Sequence, residues 1–162
     1  MSHRVCPWWL GYLLASPLRR LLQDPRKVLG PYVREGMTVL EPGPGMGFFT
    51  LELARLVGPT GRVLAVDIRV GSRDTLGLAD LAGSVDLTLA IAVVHELPNV
   101  ERFFTEVAEV SKPGAGLLIA EPTGHVKAPD FEAQLQAATR AGFVLEARPS
   151  ISRSHAGFLR KA

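Results

Sequence analysis

The sequence predicts an α/β domain: a doubly wound, mostly parallel sheet with an antiparallel C-terminal strand, preceded by N-terminal helices. Three features point there. From Thr38 onward, short apolar runs alternate with stretches of helical periodicity, the pattern of a wound sheet with helices on its faces. Val85 to Val94 (VDLTLAIAVV) is almost continuously apolar, as a central parallel strand covered on both faces has to be. A length of 162 residues, 47% apolar and 21% charged, suits one compact domain and is too charged for a membrane bundle.

The elements follow in order. Ser16 with Pro17, and Asp24 with Pro25, each pair a helix-capping side chain with proline at the first helical position, so two short helices open the chain. Gly30 and Pro31 end the second. Residues 1–36 thus form an N-terminal helical segment, and residues 37–162 the sheet domain. Thr38 to Glu41 reads as a strand, Phe48 to Val57 as a helix stopped by Gly58 and Pro59, and Arg62 to Asp67 as a second strand. After the central run, Asn99 caps a helix in which Val100, Phe103, Phe104, Val107 and Val110 recur at helical spacing. Lys112-Pro113-Gly114 stops it, and Leu117 to Glu121 returns as a strand. Pro129 to Ala141 is a helix with Gly142 just past its end, and Phe143 to Ala147 and His155 to Arg160 are the last strands. The short stretch between these two has no room for a helix, so they pair antiparallel at one end of the sheet.

Composition limits the function. With Cys6 as the lone cysteine there is no internal disulfide, and a reducing cytoplasm is the expected compartment. A net charge of +2 without any polybasic run gives no footprint for nucleic acid. Trp8 to Ala15 is apolar but spans about half of the roughly 20 residues a membrane helix needs, so no membrane span is expected. His3, His95, His125 and His155 lack ligand spacing, so no metal is expected.

The most informative stretch is Glu41-Pro-Gly43-Pro-Gly45-Met-Gly47-Phe-Phe-Thr50, a strand ending in an acid and then glycine at every second position before a helix. Glycines there admit open backbone dihedrals and close approach of a ligand to the main chain. A dinucleotide fingerprint needs its third glycine one residue later, where Phe48 stands, and the Gly-Lys-Ser/Thr of a phosphate loop is absent. Glu41 repels a pyrophosphate but favours a ligand with an ammonium group. Together with Val66-Asp67 at the end of the next strand and the later Lys112-Pro113-Gly114, the loop resembles the S-adenosylmethionine site of class I methyltransferases, from about Arg34 to the C-terminus. The resemblance implies a Rossmann-like fold, S-adenosylmethionine as cofactor, Gly43, Gly45 and Gly47 along its methionine part, Glu41 near the amino group, and Asp67 on the ribose hydroxyls.

Between Asp67 and Val85 the sequence departs from that family. Only 17 residues lie there, too few for a helix, a third parallel strand and two loops. The sheet is therefore expected to lack a regular third strand, either because this chain is a shortened homologue or because it lacks a stretch of the natural protein. By the resemblance Asp74 is the candidate for the adenine amino group, with Asp80 competing, and the adenosine end is expected to be held loosely.

His95 and Glu96 follow the central strand at the edge where ligands bind in wound sheets, and are the candidate catalytic residues on the methyl-acceptor side. A neutral histidine there can take a proton from an acceptor oxygen, nitrogen or acidified carbon; its alternative role is contact with the cofactor or packing under a lid. Glu121 and His125 form a second polar pair on that edge. Trp8, Trp9 and Tyr12 are either a lid over the acceptor or a helix packed on the sheet. The expected function is methyl transfer to a small molecule. A non-catalytic methyltransferase-like module that lost part of the cofactor pocket is the alternative. A nicotinamide-dependent oxidoreductase is disfavoured by the glycine spacing. The single cysteine argues against the arsenic branch of the family, and quinone-pathway C-methyltransferases remain a fair comparison.

Overall fold

The computed structural model describes residues 23–67 and 75–162. They form a six-stranded sheet flanked on both faces, with strands β1 (Thr38–Pro42), β2 (Arg62–Val66), β3 (Val85–Ile91), β4 (Ser111–Pro122), β5 (Phe143–Ala147) and β6 (Ser154–Lys161) in the spatial order β2-β1-β3-β4-β6-β5. The first four strands are mutually parallel and β6 runs antiparallel to both β4 and β5. The helices are α1 (Pro25–Leu29), α2 (Thr50–Val57), α3 (Val100–Val110) and α4 (Ala128–Arg140).

Side-chain alternation along the strands sorts the core into two layers. Leu117 and Ile119 of β4 point into a layer with Phe103, Phe104 and Val107 of α3 and Phe131 and Leu135 of α4. Leu118 and Ala120 point the other way, onto Leu29 of α1, Val33 of the segment after it, and Leu53 and Val57 of α2. Asp24 caps α1 as its sequence suggests, accepting from the Arg26 amide at 3.0 Å. The segment after α1 lies on the sheet, with the Tyr32 ring 4.5 Å from that of Phe158. The helix expected from Ser16, and Trp8, Trp9 and Tyr12, lie outside the described residues.

Several boundaries shift for local reasons. The central strand ends at Ile91 instead of Val94, because Ala92 takes φ 55° and the chain turns into a 3₁₀ segment, Val94–Glu96. The helix α2 starts at Thr50, since Gly47 (φ 78°) keeps the preceding residues in a turn. Lys112-Pro113-Gly114 does end α3 but lies inside a strand: β4 begins at Ser111, paired with Val85, and slips register before Gly116 pairs with Leu87.

Between β2 and β3 the described residues hold a 3₁₀ turn, Ala79–Leu81, and neither an α-helix nor a strand, so β2 is the edge strand here. The return path is tied to α3 instead. The Leu76 amide donates to Glu106 Oε2 at 2.5 Å, and the amides of Gly83 and Ser84 donate to the Glu109 and Val110 carbonyls at 3.0 and 2.9 Å. Leu78 closes a small cluster with Leu40, Val85 and Val110.

Gly61, between α2 and β2, is a tight point. A Cβ there meets the Val57 carbonyl oxygen at 2.5 Å and that of Met37 at 2.8 Å, both backbone atoms. Gly61→Ala is expected to destabilise the fold by about 2–3 kcal/mol through overpacking, read as a lower urea midpoint at unchanged m-value.

Candidate functional site

Strand order reverses about β1: the chain passes from β1 to β2 on one side and then to β3 on the other. Such a switch point leaves a crevice at the C-terminal ends of the strands. The loop after β1 opens into it. Its three alternate glycines all take left-handed dihedrals, φ 69° at Gly43, 55° at Gly45 and 78° at Gly47, a conformation costly for other residues. The Gly43 amide donates to the Val66 carbonyl at 2.9 Å, which draws the loop beside the end of β2 and sets Asp67 next to it. A Cβ at Gly45 meets nothing within 4 Å, so that glycine borders open space.

Glu41 ends up beneath this loop because β1 is buried on both faces. It is 3% exposed, and Thr50 Oγ1, at the first position of α2, donates to its Oε2 at 2.6 Å. Burial pushes the Glu41 carboxyl above its ordinary value, and the Thr50 hydrogen bond offsets part of that. A carboxylate this deep with only a neutral hydroxyl as its partner among the described residues favours a cationic ligand group, which restores its charged form.

The second cluster stands at the ends of β3 and β4 on the same edge. Glu121, fully buried, accepts through Oε1 from the amides of Val93 at 3.2 Å and Val94 at 2.8 Å, while its Oε2 pairs with His95 Nδ1. The left-handed Ala92 makes this possible by turning those two amides toward β4. The His95 side chain stays 24% exposed, and its ring stacks on that of His125 at 5.8 Å between centroids. The hydrogen bond to Glu121 raises the His95 pKa above its ordinary value; burial opposes this, and the charges of Glu121 and Glu96 add to it.

The expected residues are thus regrouped. Glu41, Gly43, Gly45, Gly47 and Asp67 converge on one corner, whereas Asp74 lies outside the described residues. Asp80 is placed elsewhere: its turn precedes the N-terminal end of β3 and packs on α3, at the edge opposite the glycine loop. His95 pairs with Glu121 across 26 residues and not with its neighbour Glu96, which is exposed and acts on the histidine only through its charge. The role of Thr50 has a sequence signal, a hydroxyl opening the helix after the loop. The His95–Glu121 pair has a weaker one, two polar residues each closing a strand.

A family model described as a methyltransferase domain matches residues 14–151. A crystal structure of a SAM-dependent methyltransferase from Aquifex aeolicus superposes with TM-score 0.81 at 25% identity, over 96% of this chain and 98% of that one. The ubiquinone/menaquinone biosynthesis C-methyltransferase UbiE of Hydrogenovibrio crunogenus is 32% identical over 111 residues, 55% of this chain and 43% of that protein. An arsenite methyltransferase of Halobacterium salinarum is 29% identical over 117 residues, 59% of this chain and 29% of that protein. The chain therefore spans less than half the length of these two curated relatives.

Proposed function

The chain belongs to the class I S-adenosylmethionine-dependent methyltransferase family, and we propose that it transfers the methyl group of that cofactor to a small-molecule acceptor. The observation that supports this best is the corner built by three left-handed glycines over buried Glu41 at the switch point. These residues fit the cofactor: Glu41 would hold its ammonium group, the open loop from Gly43 to Gly47 its methionine part, and Asp67 its ribose hydroxyls. When bound, the cofactor supplies an electrophilic methyl on a sulfonium sulfur. Asp74 remains the candidate for the adenine amino group by family resemblance alone. With no regular third strand among the described residues to wall the adenine, we infer that the adenosine end is held loosely.

His95 is the residue we place on the acceptor side. Its ring sits at the same sheet edge as the glycine loop, where in-line attack needs alignment and exclusion of water more than a covalent group. Glu96 contributes negative charge beside it. A small acceptor agrees with the curated relatives, and the single cysteine favours the quinone-type C-methyltransferases over the arsenite enzyme as a guide. The same cysteine count suits a reducing cytoplasm. No helix among the described residues is long and apolar enough to cross a membrane.

Calorimetry with S-adenosylhomocysteine and NAD tests the reading. The first should bind with one-to-one stoichiometry and the second should give no saturable heat. Asp67→Ala should weaken S-adenosylhomocysteine by about 10- to 150-fold, about 1.5–3 kcal/mol for lost charge-assisted hydrogen bonds. Absence of any S-adenosylhomocysteine binding to the parent chain sinks the proposal. Unchanged affinity in the variant removes Asp67 alone.

A further inference from the structure

We propose that Glu121 is a positioning residue that holds the neutral His95 as its Nδ1–H tautomer, so that Nε2 is the atom that takes a proton from the methyl acceptor. The inference rests on the acceptor-side assignment of His95 made above and adds the atom, the partner and the kind of acceptor.

A carboxylate with no solvent exposure persists only if its oxygens are fully met by donors. Glu121 receives three: the Val93 and Val94 amides on Oε1 and His95 on Oε2. The amides alone suffice to clamp the turn after β3 onto β4. The third bond does something a clamp does not require. An ionised carboxylate only accepts, so the facing Nδ1 has to donate, and in the neutral ring the lone pair is left on Nε2. The His125 ring lies nearly parallel to the imidazole, 5.8 Å between centroids.

Among the described residues, the charged and titratable groups around His95 are few. Glu121 comes from β4, Glu96 from its own turn and His125 from the loop after β4. On β6, His155 stands in register with Glu121 and stacks on Phe131 of α4. The two carboxylates stabilise the imidazolium that proton uptake creates. In the transfer itself the acceptor's X–H bond breaks, its proton passes to His95 Nε2, and its electron pair forms the new X–CH₃ bond as the S–CH₃ pair stays on sulfur. The imidazolium then releases the proton to solvent. Such a base serves an acceptor with a weakly acidic O–H, N–H or activated C–H group. A thiolate or arsenite centre already presents a lone pair and has no use for it.

The test is two-bond ¹H–¹⁵N correlation of the imidazoles of the full chain through a pH titration, with His95→Gln to assign the signal. Neutral His95 should appear as the Nδ1–H form, against the preference of free histidine, with its protonation midpoint above that of an ordinary histidine. Glu121→Gln keeps an oxygen for the two amides but turns an NH₂ toward Nδ1. It should reverse the tautomer and lower the midpoint by about one to three pH units, as loss of an adjacent opposite charge does, while S-adenosylhomocysteine affinity stays unchanged. An Nε2–H tautomer in the parent chain overturns the proposal whether or not the variant folds, and so does an unaltered tautomer and midpoint in a folded Glu121→Gln. Because cofactor affinity is read separately, either failure leaves the cofactor assignment standing.

Discussion

Glu41→Gln is expected to weaken S-adenosylhomocysteine binding by roughly 30- to 1000-fold, about 2–4 kcal/mol, without lowering the stability of the free protein. The substitution keeps the shape and an acceptor for Thr50 but removes the charge. Truncating one partner of a buried, hydrogen-bonded charge pair costs on that order, because the other charge is left unmatched. Stability should move the opposite way. The Glu41 carboxyl is raised from its ordinary 4.5 by burial. Its contribution to stability is therefore present below about that value and is lost as pH rises through the raised one. Glutamine never ionises, so the variant should lack this loss and be at least as stable as the parent near neutral pH. The same titration predicts that the parent's affinity for S-adenosylhomocysteine falls as pH is lowered through the raised Glu41 pKa, whereas the variant's weak binding stays flat there. Calorimetry across pH and urea denaturation of both proteins measure the two halves. A variant that binds as tightly as the parent would show that Glu41 is a structural carboxyl only.

Opposite shifts in binding and stability are what a residue kept for its ligand produces. They also explain why this corner is readable in the sequence. An acid closing a buried strand, followed by glycines that admit positive φ, is a local conflict with folding that only a ligand resolves. The strands are legible for a different reason: β1, β3 and the middle of β4 are apolar runs of the length a buried strand takes. Where the structure departs from the sequence pattern, the decisive contact is nonlocal or the residue types are neutral. Val93 and Val94 continue the apolar run, and nothing in an apolar run separates a strand from a buried 3₁₀ turn. The turn is set by Ala92 at φ 55°, a conformation its residue type does not announce. Lys112-Pro113-Gly114 marks a helix end correctly, but a slipped register between β3 and β4 that accommodates these residues is a property of the pair of strands. His95 and Glu121 meet only because β3 and β4 are neighbours whose ends align. Asp80 competes with Asp74 for the adenine contact by the family resemblance, and anchoring of the interval to α3 through Leu76 and Glu106 carries it to the far edge.

Packing of α3 also gives the core a direct hold on the acceptor side, and Phe104→Ala is the expected measure of it. Phe104 of α3 is fully buried, packs edge-on against Phe103 at 5.0 Å, and shares one cluster with Val93, Val94 and Val126, the residues that flank His95 and His125. Truncation to alanine should destabilise the chain by about 3–5 kcal/mol, through lost transfer free energy and the cavity left behind. Against a total stability of about 5–15 kcal/mol this is a large share. With an unfolding entropy near 2.1 cal/mol/K per residue, it lowers Tm by roughly 10 °C. The effect on ligands should be uneven. The glycine corner rests on the opposite layer, with Leu53, Val57 and Val39, so S-adenosylhomocysteine affinity of the folded variant should change little. The His95 imidazole, held by a turn whose apolar underside has lost its packing partner, should show a broadened or shifted resonance. Thermal denaturation, calorimetry and the imidazole spectrum together test this. A variant with parental Tm shows that the layer repacks around the missing Phe104 ring, and one that loses cofactor binding while still folded shows that the two faces of the sheet are coupled more tightly than their separate cores imply.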